Sequence, residues 1–171
     1  MSDQLRLRLA ETSDMETVGR ITVEAYVDGG FVPVTHDYTN HLRNAGQRAR
    51  IAELWVAELD GEVVGSVTFC PPGSPHREVA GDHEGEFRML AVAPDAQGKG
   101  VARALVRRCF ERCRELGLET MAICSMPQMA AAHGLYEDFG FARAEALDWS
   151  PVDGVELWGF RAAVDQDPSA T

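Results

Sequence analysis

From residue 86 to residue 117 the chain reads as strand, stop, glycine turn and helix in direct succession, and no other stretch limits the fold so tightly. The run "EFRMLAV" (86–92) is rich in strand formers and Pro94 ends it. Gly98 and Gly100 supply a bend, and residues 99–116 set Ala102, Leu105, Cys109, Cys113 and Leu116 along one helical face until Gly117 closes the run. A strand feeding straight into an amphipathic helix is the mark of a mixed α/β chain in which helices cover a sheet.

The flanking segments extend that pattern. "LRLRLA" (5–10) alternates apolar and polar residues, as a strand with one buried face does, and the caps Thr12, Ser13 and Asp14 open a helix that runs to Tyr26. Residues 37–48 resume a polar, weakly helical pattern. Two β-rich runs, 54–59 and 62–70, flank Asp60-Gly61, a dipeptide suited to a two-residue hairpin turn with positive φ. Residues 71–85 have the prolines, glycines and charges of a surface loop. "ETMAICSM" predicts a fifth strand, Pro127 opens a helix to about Phe139, and strand-like runs follow near 142–149 and 155–163. The reading is one domain over 1–164 with a polar tail at 165–171 that frays.

With 171 residues, 45% of them hydrophobic, the chain can bury a core without disulfides or a structural metal. Its four cysteines form no CxxC pair and meet no histidine at zinc spacing; they are read as reduced thiols, and no metal is expected. His36, His41, His76 and His83 are read as surface or capping groups. No leader or apolar run of membrane-spanning length is present, so a cytoplasmic protein without a membrane partner is expected. A net charge of -11 argues against a nucleic-acid partner and favours a cationic amine.

Against that charge, residues 95–115 are locally inverted, with six basic side chains (Lys99, Arg103, Arg107, Arg108, Arg112, Arg114) and three acidic ones (Asp95, Glu111, Glu115). A P-loop fails because Lys99 is followed by Gly100, not Ser or Thr, and a dinucleotide fingerprint fails because Arg103 stands where its third glycine belongs. What remains is Gln/Arg-x-x-Gly-x-Gly/Ala, met by Gln97, Gly100 and Ala102. The first N–H groups of a helix lack intrahelical partners, its dipole is positive there, and glycine lets backbone approach phosphate oxygens closely. Downstream, "AAHGLYEDFGF" (131–141) supplies an alanine, then Leu-Tyr, then Gly-Phe.

With these two motifs in this order, the sequence resembles the GNAT acetyltransferases. The resemblance implies an α/β (α+β) GNAT fold: a central mixed, mostly antiparallel, twisted sheet of about seven strands flanked by about four helices. It implies acetyl-CoA as acyl donor, its diphosphate on the turn and helix start of Gln97, Gly98, Lys99, Gly100, Val101, Ala102 and Arg103, and its pantetheine arm along Leu90, Ala91 and Val92. Met129 departs from the pattern, since relatives often carry a cofactor-holding asparagine there.

The implied reaction is attack of an uncharged amine on the thioester carbonyl through a ternary complex and a tetrahedral intermediate, which poses two proton problems. An alkylammonium of pKa about 10.4 must lose a proton, and the leaving thiolate gains one. Tyr136 matches the tyrosine that faces the sulfur in many relatives, and half-buried packing is its other reading. Glu86 matches a glutamate that serves some relatives as base, directly or through water, with Glu84, His83 and Asp28 as fallbacks. Arg88, two residues on and on the same strand face, offers Glu86 an ion pair instead, so its role stays open. By resemblance, Tyr26, Asp28, Phe31, Tyr38 and Glu84 belong to an acidic, aromatic-edged acceptor site. The reading is a small-molecule amine N-acetyltransferase, with a homodimer left open. Its rivals are a non-catalytic acyl-CoA-binding sensory domain and an acetyltransferase of protein N-termini or lysines.

Overall fold

The amino-terminal alternation becomes β1 (Leu5–Leu9) in the computed structural model, which describes residues 4–32 and 37–166. Contacts group the chain into two compact units, Met1–Phe69 with Met89–Arg108, and Cys70–Arg88 with Cys109–Thr171.

In the first unit β1 lies antiparallel to β2 (Glu53–Leu59), from Leu5↔Leu59 to Leu9↔Trp55. Arg8, on the polar side of β1, binds Asp14 at 2.7 Å and Glu58 at 2.7 Å, tying β1 to β2 and to the residue that starts α1 (Met15–Val27). β2 turns into β3 (Glu62–Cys70) through Asp60 (φ 53) and Gly61 (φ 88), the positive-φ pair expected of this hairpin. Val18 of α1 packs with Leu54 and Val56 of β2 and with Ala45 of α3 (Ala45–Ile51). The single helix expected over 37–48 is instead two, α2 (Tyr38–Arg43) and α3, because Asn44 leaves helical geometry and its Oδ1 accepts the Gln47 N–H at 3.1 Å. Buried Arg48 donates to the carbonyls of His41 and Leu42 (2.8 and 2.9 Å), covering the end of α2. β3 also meets the last part of β4 (Glu84–Val92) and the start of α4 (Val101–Glu115). A Cβ at Gly65 would come within 2.8 Å of Val101 and 3.1 Å of the Ala91 carbonyl, so only glycine allows that approach.

In the second unit the first part of β4 runs parallel to β5 (Thr120–Ser125), with Glu84↔Thr120 and Gly85↔Met121 in register, and both strands continue past that pair. β5 pairs antiparallel with β8 (Val155–Ala163) over six positions, and β8 carries β6 (Ala142–Arg143) and β7 (Trp149–Val152). Phe87, Tyr136, Phe141 and Phe160 pack edge to face at 5.7–6.2 Å, while Phe110 stacks on Phe139 at 5.5 Å, so α5 (Ala130–Asp138) and the second half of α4 bury aromatic surface here.

Strand order is β1-β2-β3-β4 in the first unit and β4-β5-β8-β6 in the second, an open mixed sheet. Eight strands and five α-helices are present among the described residues. The eighth strand arises because the run expected at 142–149 is broken by a helical turn at Glu145–Leu147 into β6 and the start of β7. Asp165 and Gln166 close a short turn, Val164–Gln166, and the rest of the expected tail, 167–171, lies outside the described residues, as does His36.

Ser66 and Thr68 of β3, opposite Val56 and Leu54, are fully buried with hydroxyls that have no hydrogen-bond partner. A buried polar group left unpaired costs about 1–3 kcal/mol, whereas an apolar group of the same shape does not. Thr68→Val is therefore expected to raise unfolding stability by about 1 kcal/mol in urea titrations, with an unchanged denaturant slope.

Candidate active site

β4 does not end as a regular strand. Met89 takes φ 54, a left-handed conformation rare for a non-glycine residue, yet burial alternates through it, with Phe87, Met89 and Ala91 buried and Arg88, Leu90 and Val92 half-buried. After a short turn at Pro94–Ala96 the chain extends at Gln97 and bends at Gly98 (φ 79) and Gly100 (φ 80). No atom lies within 4 Å of where a Cβ would stand at either glycine, and Gln97, Gly98, Lys99 and Gly100 are all exposed. Val101 anchors the start of α4 in the core, Ala102 is half-buried and Arg103 is exposed. The first helical bond runs from the Ala104 N–H to the Gly100 carbonyl at 3.0 Å, so the N–H groups just before it have no intrahelical acceptor. An open turn, helix-start donors and a basic flank fit a diphosphate such as that of acetyl-CoA.

The second unit holds the chemistry-bearing side chains. Glu86 is 0% exposed, and its carboxylate accepts the N–H groups of Glu78 (3.1 and 3.0 Å), Val79 (2.9 Å) and Ala80 (2.9 Å). Burial pushes its pKa up and the three N–H donors pull it back. Arg88 reaches the carboxylate of Glu78 at 2.6 Å, and its guanidinium also donates to the His76 carbonyl at 2.9 Å. The Glu78 carboxyl is raised by burial, opposed by Arg88. The Cys124 thiol approaches the same carboxylate at 3.7 Å, and burial pushes that thiol well above its ordinary value. Tyr136 is 6% exposed; burial, then Cys124 and Cys109, raise its phenol, which is thereby kept protonated. Its ring packs against those of Phe87, Phe141 and Phe160. Met129 precedes α5, with its sulfur 3.6 Å from the Ser125 hydroxyl, which also lies 3.2 Å from Nε2 of His133.

The expected acceptor residues divide between the units. Tyr26 and Phe31 are joined where the N–H groups of Phe31 and Val32 donate to the Tyr26 carbonyl (3.0 and 3.1 Å), Asp28 caps α1 in solvent, and Tyr38 opens α2 with its ring 6.1 Å from His41. Glu84 instead binds Arg161 at 2.7 Å, the Thr120 hydroxyl at 3.0 Å and the Gly81 N–H at 3.0 Å. This carboxylate thus clamps the start of β4 to β5 and β8, and Arg161 holds its pKa below the usual range. Glu78 escaped sequence reasoning, because one acid in a charged loop carries no pattern. No group of three or more His, Cys, Asp or Glu side chains among the described residues is arranged to hold a metal ion, and no helix there is long and apolar enough to cross a membrane.

A sequence profile of the Acetyltransferase (GNAT) family matches residues 20–141. The chain belongs to the GNAT family. Among similar proteins are a mycothiol acetyltransferase of Cellulomonas flavigena, 36% identical over 117 residues (63% of this chain, 34% of the relative), and the N-acetylaspartate synthetase of Rattus norvegicus, 35% identical over 104 residues (61% and 32%). The chain thus spans about a third of the length of these curated relatives. In solved structures the fold resembles a GNAT acetyltransferase of Staphylococcus aureus Mu50 (TM-score 0.75, 11% identity, covering 94% of this chain and 99% of that one). It also resembles the yncA protein of Salmonella typhimurium, solved with its cofactor acetyl-CoA (TM-score 0.67, 22% identity, 96% of each chain).

Gly100→Val sets a β-branched residue at φ 80, at a cost of about 1–2 kcal/mol; calorimetry is expected to show at least tenfold weaker coenzyme A binding. Glu84 is a depressed carboxyl, so its stabilising contribution is present above its unfolded value of about 4.3 and lost as pH falls through its folded value. Glu84→Gln is expected to melt below the parent at pH 7, and the gap in Tm should close below about pH 4.3.

Proposed function

We propose that residues 1–164 act as one GNAT domain that transfers an acetyl group from acetyl-CoA to a primary amine of a small molecule. The observation that carries this reading is the bare turn at Gly98 and Gly100 feeding α4, within the part of the chain that matches the family. The N–H groups around 97–103 would hold the diphosphate, and the backbone of Leu90, Ala91 and Val92, just after the left-handed Met89, would pair with the pantetheine amides. Acetyl-CoA supplies an activated acyl group on a good leaving thiol. Tyr136, kept protonated by burial, acts as the donor to the leaving sulfur. A cationic acceptor agrees with the net charge of -11, and a small one with relatives named for mycothiol and for N-acetylaspartate.

The test is thiol release from acetyl-CoA across a panel of small amines and N-terminal peptides, beside calorimetry with coenzyme A. The parent is expected to bind coenzyme A and to turn over with at least one small amine. Tyr136→Phe should bind coenzyme A like the parent and lose about 10²-fold in kcat. Binding without turnover on any amine would leave the sensory reading, and turnover on peptides alone the protein-acetylating one. No binding heat with the parent would falsify the whole assignment.

A further inference from the structure

Resting on the acetyl-transfer reading, we propose that Glu78, in the segment between β3 and β4, is the carboxylate that takes the proton from the acceptor amine, and that Glu86 is the residue that positions it.

A general base must reach the amine, and its carboxylate must not be used up by fixed donors. Glu86 meets neither condition. It is 0% exposed, its Oε1 accepts from three successive N–H groups, and its Oε2 accepts from the Glu78 N–H as well. Glu78 meets both. Its side chain keeps 13% of its surface, and its contacts with Arg88 Nε and Cys124 Sγ both fall on Oε1, which leaves Oε2 for a ligand. Glu86 fixes the backbone of Glu78 from one side, and Arg88 fixes its carboxylate from the other.

The place is right as well. Arg88 belongs to β4 and Cys124 to β5, each three residues beyond Gly85↔Met121, the last pair in register between the two strands. Glu78 therefore spans two strands beyond the end of their pairing, where main-chain edges are available to a bound chain of amides. The Cys124 thiol touches Glu78 Oε1 at 3.7 Å, so the side chain is held from β5 as well as from β4.

In the step, Oε2 of Glu78 takes one proton from the alkylammonium, which frees the nitrogen lone pair to close the N–C bond. The C–S bond releases its electron pair to sulfur, which takes the Tyr136 proton and leaves as thiol, and the second proton lost from nitrogen as the amide forms returns to the Tyr136 oxygen. The titratable and charged groups around Glu78 are Arg88 and Glu86 on β4, Cys124 on β5 and Cys70 at the end of β3, with His76 on the far side of Arg88. Burial and Glu86 favour the protonated carboxyl and Arg88 opposes them, so the acid limb of the rate profile should fall above the ordinary glutamate range.

The experiment compares Glu78→Gln, Glu78→Asp and Glu86→Gln with the parent, on the amine the parent turns over best. Glu78→Gln is expected to lose about 10²–10⁴-fold in kcat/KM and the acid limb of its pH profile, with Tm and coenzyme A affinity kept. Glu78→Asp should restore part of the rate together with that limb. Glu86→Gln, whose amide nitrogen faces the Glu78 N–H at the Oε2 position, should lose Tm and keep the limb. Parental kcat/KM and pH profile in Glu78→Gln overturn the assignment, as does loss of the limb in Glu86→Gln alone. A parent inactive on every amine overturns the acetyl-transfer reading instead. Carboxylate titration by 13C NMR of labelled parent, assigned by difference from Glu78→Gln, then decides without turnover: a value above the ordinary glutamate range supports the assignment, and one at or below it overturns it.

Discussion

Four consecutive main-chain N–H groups, those of Glu78, Val79, Ala80 and Gly81, are satisfied by two carboxylates of one strand, Glu86 taking three and Glu84 the fourth. A segment with no helix or ladder of its own has to find partners for its backbone, and a carboxylate offers enough lone pairs to take several donors at once. That constraint gives residues 78–81 a defined path. It presents the Glu78 side chain to Arg88 and Cys124, and it draws Glu84 to where Arg161 and Thr120 complete it. Glu84 and Glu86 sit two residues apart on β4, so strand periodicity alone sets both carboxylates on one side.

Sequence order made much of the scaffold legible, for reasons that are local. Asp60-Gly61 announces a positive-φ hairpin because few other dipeptides tolerate it, and α4 announces itself through one apolar stripe between two glycine stops. The failures are tertiary. Nothing about "RNAGQ" shows that Asn44 caps a new helix instead of continuing the old one, and nothing in 142–149 shows a helical turn between β6 and β7. Methionine has no preference for left-handed backbone, so the distortion at Met89 is a demand of the surroundings that the residue type does not signal.

The candidate site divides along the same line. The turn of Gln97, Gly98 and Gly100 is legible because its backbone needs positive φ, and backbone needs are written in glycine and proline. Side-chain roles are set by what else arrives. Arg88 looks like the natural partner of Glu86 on one strand face, yet it binds Glu78, ten residues earlier, while Glu86 takes main chain. Glu84 reads as an acid at a site mouth and turns out to be held by an arginine seventy-seven residues away. Tyr136, whose alternative reading is half-buried packing, is packed against rings from β4 and β8 and is 6% exposed.

Gly65 carries a consequence at a distance from any ligand. A Cβ there would crowd Val101 and Leu105 at the start of α4 and the Ala91 carbonyl of β4, so the missing methyl group on β3 sets how deep that helix is seated and how close it lies to the strand before it. The glycine acts as a gauge block for the first turn of that coil. Tolerance to mutation around the turn is accordingly uneven. Exposed Gly98 and Gly100 are fixed by their own positive φ, while Gly65, a buried position on another strand, is fixed by the closeness of Val101, Leu105 and the Ala91 carbonyl.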